Sequence, residues 1–152
     1  MGPDTAARHE TDVLILGGGL AGLSIALRLA GTGRKITLLA KRVLTEGSSR
    51  YAQGGIAAVM GPPDSVDAHV ADTVRAGAGL CREQAVRFIA ENGRESIDWL
   101  LAQGADFTHD AEQLHLTREG GHSERRIVHA SDATGAEVMR CLLYTSPSPR
   151  DS

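Results

Sequence analysis

With 152 residues, 41% hydrophobic and 23% charged, the chain is long enough for one domain with a real core. Its net charge of −3, from 16 basic and 19 acidic residues with no long basic block, offers nucleic acid no electrostatic footprint. Cys81 and Cys141 are far apart and lack CxxC spacing, which argues against a disulfide framework or a zinc site. No apolar run reaches membrane-spanning length, and residues 1–12 lack the basic-then-apolar layout of a signal peptide, so a cytoplasmic location without membrane, metal or nucleic-acid partners is expected.

Residues 1–11 read as a flexible N-terminus. Asp12-Val13-Leu14-Ile15-Leu16 is a short aliphatic run stopped by Gly17, and reads as a buried parallel strand, apolar on both faces. A helix follows over 20–29, with Leu20, Leu23, Leu27 and Ala30 at helical spacing and Gly31 and Gly33 ending it. Residues 35–40 form a second strand, completing one βαβ unit with a right-handed crossover. The Gly- and Ala-rich stretch 48–59 is weakly periodic, and Pro62-Pro63 marks a turn. Residues 65–75 are helical, with Ser65 as N-cap and Val66, Val70 and Val74 on one face. Two more helices, 82–91 and 94–102, flank an Asn92-Gly93 turn. Residues 115–117 and 126–128 are expected to be strands joined through Glu119-Gly120-Gly121, and 134–143 starts another helix. The polar, Pro/Ser-rich residues 144–152 break the pattern. They read as a disordered tail or as adapter-derived sequence joined to a truncated reading frame.

Gly17-Gly18-Gly19-Leu20-Ala21-Gly22 matches G-x-G-x-x-G between a strand and a helix, the context this motif requires. Gly17 permits the tight turn, Gly19 lets a pyrophosphate approach the backbone, and Gly22 lets helix and strand pack closely. Free amides at the helix N-terminus then face the anion. An acid about twenty residues on is expected in the common fingerprint, to bind ribose hydroxyls. Here the second strand ends Leu39-Ala40-Lys41, which weakens an ordinary NAD reading. Lys41 is either a cofactor neighbour or a solvated lysine.

Two further stretches carry a family resemblance. Thr45-Glu46-Gly47-Ser48-Ser49-Arg50-Tyr51-Ala52-Gln53-Gly54-Gly55-Ile56-Ala57-Ala58-Val59 is similar to the flavin-contacting loop of the succinate dehydrogenase and fumarate reductase flavoprotein superfamily, in the version typical of its L-aspartate oxidase family. Leu116-Thr117-Arg118-Glu119-Gly120-Gly121-His122-Ser123-Glu124-Arg125-Arg126-Ile127 resembles the Thr-Arg-Glu-Gly-Gly-His segment of the same family. The resemblance covers residues 12–143. It implies a truncated, Rossmann-like α/β FAD-binding domain, three-layered with a mainly parallel sheet.

It also implies cofactor contacts. Gly17, Gly18, Gly19, Leu20, Ala21 and Gly22 would hold the FAD pyrophosphate, and Lys41 would lie by the adenosine. Ser48, Ser49, Arg50, Tyr51, Ala52, Gln53, Gly54 and Gly55 would wrap the flavin, the two glycines leaving room for its ring. Ser48 stands where covalently flavinylated relatives carry histidine, so FAD is expected to be non-covalent. Tyr51 is either a flavin-packing or an ordinary core aromatic. Glu119 is the expected substrate residue, because a carboxylate beside the α-ammonium of L-aspartate distinguishes it from succinate. Arg118, Arg125 and Arg126 are carboxylate ligands or, in preference, members of surface salt bridges or of contacts within the fold. His122 orients Glu119, touches substrate or is structural. Glu124 departs from the histidine frequent at its position in the family.

The implied reaction oxidises L-aspartate to iminoaspartate, with O2 (giving H2O2) or fumarate as acceptor, and supplies quinolinate and NAD synthesis, with a functional link to quinolinate synthase. A soluble fumarate reductase or succinate dehydrogenase flavoprotein, or a non-functional truncated product, are the rivals. The family's capping domain, catalytic arginine and second FAD segment fall outside the resembling residues, so the chain alone is expected to be inactive and to bind FAD weakly or not at all.

Overall fold

A computed structural model describes residues 9–131 and 133–145. The expected tail from 146 onward and residues 1–8 of the expected N-terminus lie outside the described residues. The chain opens with the expected βαβ unit: β1 (Val13–Leu16), α1 (Leu20–Ala30) and β2 (Ile36–Leu39). β1 and β2 pair in parallel from Val13↔Ile36 to Leu16↔Leu39. Their starts are tied together by side chains, since Thr11 Oγ1 donates to Lys35 O at 2.8 Å and Lys35 N donates to Asp12 Oδ2 at 2.8 Å. Thr11, placed in the flexible N-terminus by the sequence expectation, is thus tied to the sheet.

β3 (Ile56–Ala57) follows the Gly-rich stretch, and then come α2 (Val66–Ala76), α3 (Glu83–Glu91) and α4 (Gly93–Ala102). Ser65 caps α2 as expected, its hydroxyl accepting from Ala68 N at 3.2 Å. Asn92 separates α3 from α4, its side-chain amide donating to Phe88 O at 2.7 Å. The hairpin β4 (His109–Asp110) and β5 (Gln113–Leu114) precedes β6 (Leu116–Thr117) and β7 (Ile127–Val128), which pair antiparallel across the Glu119 turn. β3 joins the other edge of β7, in the order β3-β7-β6.

α5 (Thr134–Thr145) closes the described chain and packs against α1. The expected boundary after residue 143 moves outward, because Tyr144 and Thr145 still belong to this helix. Thr145 Oγ1 hydrogen-bonds Cys141 O at 2.9 Å and Gln103 O at 3.2 Å, and the Arg140 guanidinium lies over the Tyr144 ring at 5.9 Å.

The core joins Leu23 of α1, Ala58, Ile97 and Leu100 of α4, Phe107, Val128 of β7, and Val138, Met139 and Leu142 of α5. A mainly parallel, three-layered sheet is not what these residues build. Among the described residues β1–β2 is the parallel pair, and both other sheets are antiparallel. A parallel neighbour needs a crossover that brings the chain back to run in the same direction, and α2, α3 and α4 lead instead to short antiparallel ladders. β1 is accordingly not apolar-buried on both faces: Ile15 is buried, while Leu14 and Leu16 are 52% and 76% exposed.

Candidate functional site

The Gly-rich turn sits at the carboxyl end of β1. Gly17 has φ +116°, a conformation that favours glycine, and its amide donates to Leu39 O at 2.8 Å, locking the turn onto the end of β2. A Cβ on Gly22 would run into the Gly17 carbonyl and come within 3.4 Å of Ile15 Cγ2, so α1 approaches the turn as closely as the sequence pattern implied. A Cβ on Gly18 would collide with Leu44 Cδ2 and sit 3.2 Å from Ala40 Cβ, which makes the middle glycine a packing position under segment 40–44. α1 carries no acid in its first turn to neutralise its N-terminal end. One of its opening amides, Leu20 N, donates to Ser49 Oγ at 3.3 Å.

Gly17, Gly18, Gly19, Lys41 and Ser48 line one cavity of 460 Å³, with Tyr51 at its edge. Ala40, Arg42, Leu44, Glu46 and Gly47 complete its wall. Tyr51 is 64% exposed and donates to Glu46 Oε2 at 3.1 Å, so it is neither a core aromatic nor free to turn without losing that bond. Leu20, Ser49, Ala52, Gly54 and Gly55 line a second cavity of 220 Å³ with Ile56, Thr134, Gly135, Val138 and Met139. Ala21 and Gln53 are exposed and line neither. Arg50 faces elsewhere, onto a 630 Å³ cavity shared with Glu137 and Arg140 that contains none of the Gly-rich turn. That cavity is larger, but the helix end, the glycines and the cations converge on the first two.

The two glycines of the loop have different surroundings. Gly55 is small for the strand behind it, because a Cβ there would collide with Ile127 Cγ2 and Val128 O. Gly54 has an open position, and the atoms that a Cβ would meet are the Glu119 carboxylate oxygens, at 3.7 and 3.9 Å. The expected flavin loop and the expected substrate residue therefore face each other directly. Arg118 and Arg125 are exposed, whereas Arg126 is fully buried in an internal ion network with Asp64 and Asp72. This is the fold-internal alternative expected of these arginines.

Residue reasoning missed Gly135. Its amide donates to Ala52 O at 2.9 Å, and it holds the 48–55 loop against α5. The signal was a glycine in the first turn of a helix, where it weakens the helix unless packing demands it.

His69 on α2 was also missed. It is 7% exposed, and its Nδ1 has no hydrogen-bond partner among the described residues. Burial first, then the Arg126 charge, holds the imidazole below its ordinary value of 6.5. As pH falls below about 6.5 the unfolded chain takes up this proton and the folded one resists, so the stability is present above that pH and lost below it. Denaturant midpoints are expected to decline from pH 7 to pH 5, by at most about 1.4 kcal/mol per pH unit from this group. His69→Gln is expected to flatten that segment of the profile; an unchanged slope would assign it elsewhere. Asp72 contributes separately, at pH below its ordinary 3.8, since the Ser123 amide bond depresses its carboxyl.

The residues present suit an anionic dinucleotide: a glycine turn with positive φ, an uncompensated helix N-terminus, and Lys41 and Arg42 on one cavity. Together with the parallel βαβ unit they define a dinucleotide-binding α/β domain. A family model described as FAD binding domain matches residues 12–147, and the chain belongs to that family.

The chain is 56% identical over 135 residues to L-aspartate oxidase 1 of Ralstonia nicotianae, covering 87% of this chain and 25% of the relative. It is 52% identical over 143 residues to the L-aspartate oxidase of Pseudomonas aeruginosa, covering 89% of this chain and 26% of that protein. Among solved structures, E. coli quinol fumarate reductase FrdA superposes with a TM-score of 0.85 at 30% identity, over 91% of this chain and 24% of that one. Mycobacterium smegmatis Sdh1 gives 0.86 at 28% identity, over 92% and 24%. The chain thus spans about a quarter of the length of the curated relatives it matches. No helix among the described residues is long and apolar enough to cross a membrane.

Proposed function

We propose that these residues are the N-terminal part of a flavoenzyme that oxidises L-aspartate to iminoaspartate. The carrying observation is the Glu119 carboxylate lying against the open Gly54 position. It puts an ammonium-binding anion beside the loop that would border the flavin. Bound FAD would supply the hydride acceptor. The chain's own residues bind and orient: the α1 end would take the pyrophosphate with Lys41 by the adenosine, and Gly54 would leave the ring room. Glu119 would hold the substrate ammonium and so fix the Cα facing the ring. Serine at position 48 supports non-covalent FAD, because its hydroxyl cannot make the histidyl link. O2 or fumarate as acceptor, delivery of iminoaspartate to quinolinate and NAD synthesis, and a cytoplasmic location follow from the same reading. So does the expectation that residues 1–152 alone neither turn over aspartate nor hold FAD firmly.

The test uses full-length protein carrying this span. Acid denaturation is expected to release all flavin to the supernatant; flavin retained in the pellet overturns the non-covalent assignment. Aspartate is expected to be oxidised in preference to succinate, whereas a succinate preference selects the fumarate reductase alternative. Glu119→Gln is expected to lower kcat/KM for aspartate about 10- to 100-fold, the worth of one charge-assisted hydrogen bond, with flavin content intact. An unchanged kcat/KM removes Glu119 from substrate binding.

A further inference from the structure

The turn that carries Glu119 owes its position to a helix remote in sequence. Within the hairpin, the turn is closed by His122 N donating to Glu119 O at 3.2 Å, with Gly121 at φ +88°. One residue on, Ser123 is tied to α2. Its amide and its hydroxyl both donate to Asp72 Oδ2, each at 2.7 Å. Arg126 Nη1 donates to the same oxygen at 2.8 Å, and Arg75 donates to Oδ1. Asp72 is 3% exposed, so these bonds work in a medium that favours them over competing water.

The neighbouring residue is held as well. Arg126 Nη1 lies 3.3 Å from His122 Nδ1. A guanidinium only donates, so Nδ1 is the accepting atom of this contact. The His122 ring also neighbours that of His69 of α2, with centroids 5.8 Å apart. Arg126 is in turn fixed by two bonds to Asp64, at 2.8 and 2.7 Å. Both residues at the end of the Glu119 turn are therefore fastened to one buried network. A buried charge cluster of this kind is weak as a source of net stability, because desolvation offsets most of the attraction. What it does supply is a defined position for whatever is bonded to it.

We propose that Asp72 and Ser123 are positioning residues that set the Glu119 carboxylate against Gly54, and so determine the preference for dicarboxylates bearing an α-ammonium. This rests on Glu119 being the ammonium ligand. Ser123→Ala removes one of three donors to Asp72 Oδ2 and leaves no buried group unpaired, so the fold is expected to survive it. Asp72→Asn keeps an acceptor but loses the charge, and is the more disruptive variant.

In the full-length holoenzyme, Ser123→Ala is expected to raise KM for aspartate about 3- to 10-fold, the range of one ordinary hydrogen bond, since Ser123 acts on the substrate only through the Glu119 turn. KM for fumarate, which has no ammonium, is expected to change much less. Ser123→Thr, which retains the hydroxyl, is expected to restore the wild-type ratio. Asp72→Asn, where it folds with normal flavin content, is expected to enlarge the same ratio. Equal changes for both substrates, or an unchanged ratio in Ser123→Ala, overturn the proposal. Glu119→Gln measured alongside separates the two levels. If Glu119→Gln discriminates between the substrates and Ser123→Ala does not, the positioning role fails alone. If neither discriminates, the reading of Glu119 fails and this role falls with it.

Discussion

Arg126→Met is expected to destabilise the domain by about 3–5 kcal/mol, the cost of leaving buried charges without their partner. The guanidinium is wholly buried, and the two carboxylates it joins are 4% and 3% exposed. Removing it strands Asp64 with neither of its ion-pair bonds, and leaves Asp72 with Ser123 and the largely exposed Arg75. Against a typical total of about 5–15 kcal/mol for a small domain, that loss removes a large share of the folded population. The comparison that tests the cause is a triple variant, Asp64→Leu, Asp72→Leu and Arg126→Met together. It removes the charges as well as the bonds, and is expected to be less destabilised than Arg126→Met alone, by urea denaturation of the full-length protein. A triple variant that is worse than the single one by the sum of further losses would show that the network contributes net stability, and would reverse the argument.

The contrast between this network and the Gly-rich turn explains what could be read from sequence. Strand, glycine turn, helix and second strand are contiguous within 13–39, each is signalled locally, and all four appear where expected. The Asp64–Arg126 and Asp72–Arg126 pairs join residues 62 and 54 apart, and no local rule marks an aspartate as the buried partner of a distant arginine. Short strands failed for a different reason. β3, β4 and β5 have two residues each, too few for an alternation to register, whereas β6 and β7, no longer, are marked by the Gly120-Gly121 turn between them. The β4–β5 turn places Ala111 at φ +54°, where the usual signal would have been glycine or asparagine. The mainly parallel sheet was an expectation of the family resemblance, and among the described residues α2 to α4 lead to short antiparallel ladders instead of a further parallel strand. For the site, Gly17, Gly18, Gly19, Lys41 and Ser48 come together on one cavity, and β7 behind Gly55 adds a packing demand for glycine that no local pattern signals.

Gly135→Ala is the second large effect expected, and it runs against intrinsic preference. In the first turn of α5 alanine is the better helix former by about 1 kcal/mol, so an uncoupled position would gain from the change. Here the added Cβ would strike the Ser49 carbonyl and lie 2.8 Å from Ala52 O and 2.9 Å from Ala52 Cβ. Backbone cannot step aside as a flexible side chain can, and over-packing of this sort costs about 1–3 kcal/mol. The relief available is to push the 48–52 loop away from α5. That breaks the Gly135 N to Ala52 O bond, and it displaces Ser49 from the α1 amide that its hydroxyl accepts from. Flavin affinity is therefore expected to fall further than stability does, by 10-fold or about 1.4 kcal/mol at least, read by fluorescence quenching of FAD in the full-length protein. Gly31→Ala is the control: its Cβ meets nothing within 4 Å and its φ is −79°, so melting temperature and flavin affinity are expected to stay at wild-type values. If both variants hold flavin equally, contact with α5 is not what shapes the loop, and the cradle must be formed by the loop's own turns.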